Sequence, residues 1–365
     1  MPAETPTSLD LSADSVALTR AICDVPSVSG DETTLADLVE SALGGASHLE
    51  IIRDGDTVVA RTNLGRDRRV VIAGHLDTVP INANLPTRFE TVDGVDYLWG
   101  RGTVDMKAGV AVQLKLAAEL TEPIVDLTWM WYDHEEVAAG LNGLGRLAGN
   151  RPDLFEGDFA ILGEPSNGQV EGGCNGTLRA EVRAAGLRAH SARSWVGENA
   201  IHKLAPALTR LVEYEAETVD VDGLAYREGL NAVVVRGGVA GNVIPDEAVL
   251  DVNYRFAPSR SLAEASEFVR EFFDGFEVTV VDGAEGARPG LDAPLAQQFV
   301  RAVGAEARPK YGWTDVARFS ALGVPAVNFG PGDPLKAHAD DERVALDQIR
   351  STEHALRAWL TGAAH

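Results

Sequence analysis

Histidine and carboxylate residues in five short clusters are the side chains of this 365-residue sequence best suited to chemistry. The residues are His75 and Asp77, Asp105, Glu135 and Glu136, Glu164, and His338. Imidazole and carboxylate suit zinc, and the absence of cysteine among them is typical of a catalytic zinc site. Each cluster alone is more often a structural histidine, a helix cap or a solvated loop. The combination predicts a metal centre.

The types of the neighbouring carboxylates indicate different tasks. Asp77, two residues after His75, is suited to fix the tautomer and orientation of the imidazole when that imidazole binds a metal. Asp105 precedes a helical pattern, so it is either an N-cap or a carboxylate that bridges two metals. Glu135 and Glu136 would repel one another unless a cation lay between them. Because adjacent side chains point apart, one glutamate can bind the metal while the other transfers protons.

Apolar runs that indicate buried strands precede four of the five clusters. The runs are Arg69 to Ala73, Leu127 to Tyr132, Phe159 to Leu162, and Val324 to Phe329. Helical patterns at Lys107 to Leu120 and Gly140 to Ala148 alternate with them, which predicts an α/β domain with a mixed, largely parallel sheet. Because ligand crevices form at the carboxyl ends of such strands, we expect the clusters to meet there.

A segment with a different order of predicted strands and helices interrupts this domain. We predict strands at 177–185, 232–239, 247–256 and 276–282, and helices at 199–216 and 261–273. That order is β-α-β-β-α-β, a ferredoxin-like α+β unit. At 365 residues, the chain is also longer than one hydrophobic core usually supports. We therefore predict a domain that carries the clusters in two parts, 1–176 and 290–365, with an inserted domain at 177–289.

Composition narrows the partners and the compartment. A formal net charge of −23 argues against nucleic acid and anionic membranes as partners. Only Cys23 and Cys174 are present, which excludes a disulfide framework and fits a reducing compartment. There is no signal-peptide pattern and no apolar run of membrane-spanning length. We expect a cytoplasmic protein that acts on a small molecule.

The clusters resemble the motifs of the dizinc aminoacylase and carboxypeptidase-like exopeptidase family, over nearly the whole chain. The resemblance implies two Zn²⁺, with Co²⁺ or Mn²⁺ as substitutes. It implies one zinc on His75, Asp105 and Glu164, and the other on Asp105, Glu136 and His338. Glu135 would be the general base, with Asp77 supporting the site, and the amide bond of a small N-acyl amino acid would be hydrolysed.

The same resemblance implies that 1–176 and 290–365 form the catalytic domain, that 177–289 is a lid and dimerisation domain, and that the late loop binds substrate. His190 matches a lid histidine that stabilises developing negative charge and that, in relatives, enters the partner subunit's site; a surface histidine is the alternative. We expect a homodimer, which would also cover an exposed sheet edge. The expected substrate-binding residues are Asn242, Arg255, Asn175, Thr314, Arg318 and Gly330.

Two segments, Gly173 to Thr177 and Ala189 to Trp195, resemble the succinyl-diaminopimelate desuccinylases. This implies cleavage of N-succinyl-LL-2,6-diaminopimelate to succinate and LL-2,6-diaminopimelate. The sequence departs at Asn175 and Gly176, where many desuccinylases carry an arginine-rich segment, so the cation for the succinyl carboxylate stays open among Arg179, Arg255 and Arg318.

Two further interpretations stay open. An N-acetylornithine-type deacetylase or an aminoacylase would use the same metal residues with other cations in the pocket. A non-catalytic metal-binding protein is an alternative of another class. Glu135 argues against that class, because a protein without catalysis does not need a spare base beside a ligand.

Overall fold

The computed structural model describes residues 6–304 and 306–363. Residues 1–5, 305 and 364–365, which the predicted domain ranges include, lie outside the described residues. The chain divides into two compact units. The first unit holds the described residues up to Gly172, together with Gly290–Arg308 and Arg318 onward. The second unit holds Gly173–Pro289 and also Pro309–Ala317, a segment that sequence reasoning had grouped with the last part of the chain.

The helices and strands are numbered in chain order. The strands are β1 Glu50–Asp54, β2 Thr57–Arg61, β3 Arg69–His75, β4 Arg88–Val92, β5 Val95–Trp99, β6 Asp126–Tyr132, β7 Phe159–Leu162, β8 Glu171–Gly172, β9 Gly176–Ala185, β10 Ala189–His190, β11 Thr218–Val221, β12 Leu224–Arg227, β13 Gly229–Gly237, β14 Val243–Ile244, β15 Glu247–Phe256, β16 Glu277–Ala284, β17 Arg308–Pro309, β18 Ala326–Asn328 and β19 Arg343–Ala345. The α-helices are α1 Ser15–Cys23, α2 Thr33–Leu43, α3 Lys107–Glu119, α4 Gly143–Asn150, α5 Ala200–Lys203, α6 Ala205–Val212, α7 Leu262–Phe272, α8 Pro294–Val303, α9 Val316–Ala321 and α10 Leu346–Leu360. Short 3-10 helices span Pro152–Phe155, Ser191–Val196 and Pro334–Lys336.

The first unit is organised by an eight-stranded mixed sheet with the order β1-β2-β6-β3-β7-β18-β8-β17. Its centre, β6-β3-β7-β18, is parallel, and β1, β2 and β8 pair antiparallel at its flanks. The central strands are buried along almost their whole length, as parallel strands with both faces covered must be. The predicted mixed, largely parallel sheet is confirmed. A separate three-stranded sheet, β19-β5-β4, completes the unit.

Helix α3 lies directly beneath the strand ends and is buried from Lys107 to Ala117. Gly109 allows this close approach. A Cβ at Gly109 would lie 2.3 Å from the carbonyl oxygen of Gly163, just after β7. The glycine therefore sets the spacing between the helix and the loop that carries Glu164.

The second unit is built on a four-stranded antiparallel sheet with the order β13-β15-β9-β16. Strand β9 alternates buried and more exposed side chains along most of its length, which is typical of an antiparallel sheet with one covered face. Helices α5, α6 and α7 supply buried residues to the same apolar core as β9 and β15. In the described part of the chain, no helix is long and apolar enough to cross a membrane.

Two predicted helices differ in their bounds for local chemical reasons. The helix predicted at 199–216 is split into α5 and α6, and Pro206 occupies the first turn of α6, where its missing N–H costs nothing. The helix predicted from Gly140 begins at Gly143 instead. Asn142 accepts the N–H of Gly145 and so caps α4.

Candidate metal centre

The carboxyl ends of three adjacent parallel strands position most of the candidate ligands. His75 is the last residue of β3, and Glu164 follows the end of β7 by two residues. Glu135 and Glu136 follow β6 closely. Because β6, β3 and β7 are neighbours in the sheet, the backbone brings these side chains to one edge.

Five of the predicted residues form two groups that could hold a metal ion. The first group is His75, Asp105 and Glu164, and the second is Asp105, Glu136 and His338. Within each group the ligand atoms all lie within 4.8 Å of one another. A third combination joins His75 with Glu135 and Glu136. Asp105 belongs to both of the first two groups, so the residues fit a pair of sites that share one carboxylate.

Asp105 directs one carboxylate oxygen toward each histidine. Its Oδ1 lies 3.2 Å from His75 Nε2, and its Oδ2 lies 3.4 Å from His338 Nε2. Burial alone would raise the pKa of Asp105, but the hydrogen bonds to His338 and His75 hold it well below its usual range. The carboxylate is therefore ionised and available to two cations at once.

The imidazole of His75 is held in one orientation. Its ring is 1% exposed, and Nδ1 lies 3.0 Å from the carbonyl oxygen of Asp77 and 3.4 Å from the carboxylate of the same residue. When Nδ1 donates its hydrogen there, Nε2 faces Asp105 with a free lone pair. Burial lowers the pKa of His75, but Asp105 and Asp77 together raise it well above its usual value.

Asp77 also holds the backbone of the paired glutamates. Its Oδ1 accepts the N–H of Glu135 at 3.0 Å and its Oδ2 accepts the N–H of Glu136 at 3.0 Å. Ser29 donates its hydroxyl to the same carboxylate at 2.6 Å. Although burial opposes ionisation, the interaction with His75 brings the pKa of Asp77 to about 2. One carboxylate thus links the β3 histidine to the β6 glutamates.

His338 completes the second group from a distant part of the chain. Its Nε2 lies 2.9 Å from Glu136 Oε2, and its backbone has φ 62°, in the left-handed region. The neighbouring Asp105 and Glu136 raise the pKa of His338 to about 10. In the metal-free chain, a proton on His338 therefore offsets part of the charge of the carboxylates. A divalent cation can replace that proton, which is how a metal site couples to pH.

Four of the expected substrate-binding residues lie in the second unit. Asn175 and Thr314 are buried, and Asn175 Nδ2 donates to the carbonyl of Arg227 at 2.9 Å. The guanidinium of Arg255 donates to Asn253 Oδ1 at 3.1 Å, and burial lowers its pKa. Asn242 lies beside the predicted lid histidine, since its carbonyl accepts the N–H of Ser191 at 2.9 Å.

His190 is exposed and lies in a short strand pair that brings it next to the Asn242 segment. Strand β10 pairs with β14, with His190 opposite Val243. The Nδ1 of His190 accepts the N–H of Ala192 at 3.1 Å, which leaves Nε2 as the outward nitrogen. The structure thus brings His190 and Asn242 together within the second unit.

The other two expected binding residues, Arg318 and Gly330, lie in the first unit. A Cβ at Gly145 would lie 2.9 Å from Nη1 of Arg318, so the guanidinium lies against helix α4. Gly330 is buried, and a Cβ there would lie 2.2 Å from the Gly163 carbonyl and 2.6 Å from that of Glu164. A side chain at position 330 would therefore displace the backbone of a candidate ligand.

Several residues that support the site are not among those that the sequence predicts. Glu32 is fully buried and its Oε1 accepts the N–H of His134 at 3.0 Å. Arg146 donates to both oxygens of buried Asp133, at 2.7 and 2.9 Å. These contacts fix the segment that leads into Glu135. They join parts of the chain far apart in sequence, so spacing alone gave no signal for them.

Comparisons with known proteins find relatives that match nearly the whole chain. The chain is 55% identical over 357 residues to a putative succinyl-diaminopimelate desuccinylase, DapE, of Mycobacterium tuberculosis, covering 97% of this chain and 100% of that one. It is 49% identical over 372 residues to a succinyl-diaminopimelate desuccinylase of Corynebacterium glutamicum, covering 99% and 100%. Its fold is similar to the crystal structure of a tripeptidase from Staphylococcus aureus, with a TM-score of 0.78, 20% identity, and 98% and 99% of the two chains covered.

The fold, the cluster at the sheet edge and these relatives define the class of protein as a metal-dependent amidohydrolase. Residues 71–361 match the model of peptidase family M20/M25/M40. The chain belongs to this family, and the expected resemblance to metal-dependent exopeptidases and desuccinylases is confirmed.

Proposed function

We propose that the protein hydrolyses N-succinyl-LL-2,6-diaminopimelate to succinate and LL-2,6-diaminopimelate, with two zinc ions in the site. The observation that carries the proposal is the placement of Asp105, with one oxygen toward His75 and the other toward His338. Such a carboxylate suits two cations in one site. The substrate follows from the two desuccinylases that match this chain over nearly its whole length.

The donor set fits zinc in type and in charge. Two imidazoles and three carboxylates leave about one net positive charge with two Zn²⁺. When bound, the metals polarise the amide carbonyl and make water acidic enough to react near neutral pH. Co²⁺ or Mn²⁺ would suit the same nitrogen and oxygen donors.

Glu135 is the proposed general base. It takes a proton from water as the oxygen attacks the amide carbon, and it delivers that proton to the nitrogen as the C–N bond breaks. This gives a carboxylic acid and an amine, and the remaining proton of the acid then passes to the amine, so the final products are a carboxylate and an ammonium and both atoms and charge balance. The backbone of Glu135 is held by Asp77, which keeps the base beside the ligand group of Glu136.

Recognition of the substrate is assigned to the second unit and the late loop. Arg255 forms no ion pair among the described residues, and a half-buried guanidinium of this kind suits a substrate carboxylate. Asn175, Asn242, Thr314, Arg318 and Gly330 would shape the remaining contacts, and His190 would donate to the negative charge that develops on the carbonyl oxygen.

We also propose that the second unit is a lid and dimerisation domain. Strand β13 lies at the edge of its sheet and exposes Val233, Val234 and Val235 by 55%, 45% and 61%. An exposed apolar edge strand favours pairing with a second copy. Both cysteines are free and buried, which supports a reducing compartment such as the cytoplasm. The molar mass measured by light scattering would test the dimer.

The test is steady-state hydrolysis of N-succinyl-LL-2,6-diaminopimelate and of N-acetylornithine, each with added Zn²⁺ and after chelation. We expect zinc-dependent turnover with the succinylated substrate preferred. Preference for the acetylated substrate would indicate a deacetylase or aminoacylase. Metal binding without turnover of any N-acyl amino acid would instead indicate a binding protein.

Glu135→Gln separates catalysis from metal binding. We expect kcat to fall by about 10²–10⁴-fold while the zinc content stays that of the parent chain. Glu267→Gln, an exposed substitution of the same type on α7, is the matched control and should retain full activity. Unchanged kcat in Glu135→Gln would remove this residue from the mechanism.

A further inference from the structure

A buried glutamate holds the backbone of the shared carboxylate Asp105. Glu342 is 1% exposed, and its Oε1 accepts the N–H of Val104 at 2.9 Å and that of Asp105 at 3.2 Å. Glu342 and Asp105 are 237 residues apart in sequence. The Glu342 carbonyl also accepts the N–H of Gly100 at 3.0 Å. Glu342 therefore binds the Asp105 loop at three backbone N–H groups.

The other carboxylate oxygen of Glu342 binds a buried arginine. Arg101 is 3% exposed, and its Nη1 donates to Glu342 Oε2 at 2.7 Å. The same guanidinium donates from Nε to the carbonyl of Pro80 at 3.2 Å and from Nη1 to that of Ala339 at 3.4 Å. Both charges of this buried ion pair are thus compensated by further hydrogen bonds, as such a pair requires.

The contacts of this pair reach three loops that carry candidate ligands. Pro80 ends the segment that begins with His75, Arg101 and its neighbours lead into Asp105, and Ala339 directly follows His338. All the contacts lie within the first unit. One ion pair therefore fixes the positions of the three loops relative to one another.

We propose that Glu342 and Arg101 are positioning residues that hold His75, Asp105 and His338 in the arrangement needed to bind the metals. The inference rests on the proposed metal site and extends it to two residues that are not ligands. Neither side chain bears a donor atom in the ligand groups. Both act through the backbone, so their removal should weaken metal binding more than a loss of stability alone would.

The test measures Zn²⁺ affinity of the full chain by competition with a chromophoric chelator. We expect Glu342→Gln to weaken Zn²⁺ binding by about 10–100-fold, the usual effect of losing a residue that orients metal ligands. Glutamine keeps the size and one acceptor oxygen but loses the charge opposite Arg101. Arg101→Lys is the second variant, because one ammonium cannot make all three contacts of the guanidinium.

Glu228→Gln is the matched control in the second unit. Glu228 is 4% exposed, and it accepts hydrogen bonds from the Ala257 N–H at 2.9 Å and from Arg260 at 2.8 Å. Its replacement should lower the unfolding temperature of the metal-free chain much as Glu342→Gln does, yet leave the Zn²⁺ affinity within about twofold of the parent. The control separates a general loss of stability from loss of the site.

The effects of the two positions should not add, because they belong to one network. The double variant should bind Zn²⁺ within about twofold of the weaker single variant. If Glu342→Gln and Arg101→Lys bind Zn²⁺ as tightly as the parent chain, the inference is wrong but the proposed function stands. The inference is also wrong if Glu228→Gln weakens Zn²⁺ binding as much as these two variants do. If Glu342→Gln does not fold, Arg101→Lys decides the question. A parent chain that bound no Zn²⁺ would overturn the proposed function as well.

Discussion

Zinc binding to the metal-free protein should release about one proton per chain from His338 near neutral pH. Asp105 and Glu136 raise the pKa of His338 to about 10. The pKa of His75 is also well above 6.5, because Asp105 and Asp77 outweigh its burial. His338 is therefore protonated at about pH 7.5 before metal binds and must lose that proton to coordinate it, and the upward direction of the shift at His75 favours the same change there.

The magnitude distinguishes this site from one with ordinary histidines. At about pH 7.5, two imidazoles with an ordinary pKa near 6.5 would together release only about 0.2 proton, and ionisation of a bound water would add up to about one. His338 alone should release about one before any contribution from water. The apparent affinity for the zinc ion bound by His338 should also rise by about 10-fold per pH unit, which corresponds to about 1.4 kcal/mol.

Calorimetric titration of Zn²⁺ in several buffers with different enthalpies of ionisation counts these protons. His338→Asn should release about one proton fewer than the parent chain, since it removes the group whose pKa is about 10. Equal proton release by His338→Asn and the parent chain at about pH 7.5 would refute the reasoning, because His338 would then already be neutral in the absence of metal.

Three further predictions concern the support of the site. Gly109→Ala should lower the free energy of unfolding by about 1–3 kcal/mol in urea titrations, because its Cβ would meet a backbone carbonyl, whereas Gly149→Ala has open space and should cost little. As the pH falls from about 4 through about 2, protonation of Asp77 should remove about 2 kcal/mol of stability from the metal-free chain, because its folded pKa lies below its usual 3.8. Arg146→Met should cost about 3–5 kcal/mol, since it leaves Asp133 charged and buried; no loss would contradict the ion-pair argument.

The elements that carry the ligands could be predicted because their sequences are strongly apolar. The run Arg69 to Ala73 ends two residues before His75, and the structure has β3 over Arg69–His75. Phe159–Leu162 is a strand as predicted, followed by Glu164. Contiguous β-branched and apolar residues between polar segments leave few alternatives to a buried strand. The strand ends then follow from the fold class.

What the sequence could not give is the set of contacts between distant polar residues. The hairpin of β4 and β5 is largely exposed and has no apolar periodicity that marks it. Glu342 looks like an ordinary loop acid, and nothing in its neighbourhood indicates that its partner is the backbone of Asp105. Such pairings depend on tertiary packing, which a single sequence does not encode in local spacing.

The ligands are spread along the chain in a way that bears on its synthesis. His75, Asp105 and Glu164, which form one group, are all made early, whereas His338 follows Glu164 by about 170 residues, or roughly 10–35 s of translation at typical rates. Strand β18, which pairs with β7, is also made late. A nascent chain can thus offer four of the five donors to a cation long before His338 exists. His338 becomes available only when the last part of the polypeptide leaves the ribosome and docks on the sheet.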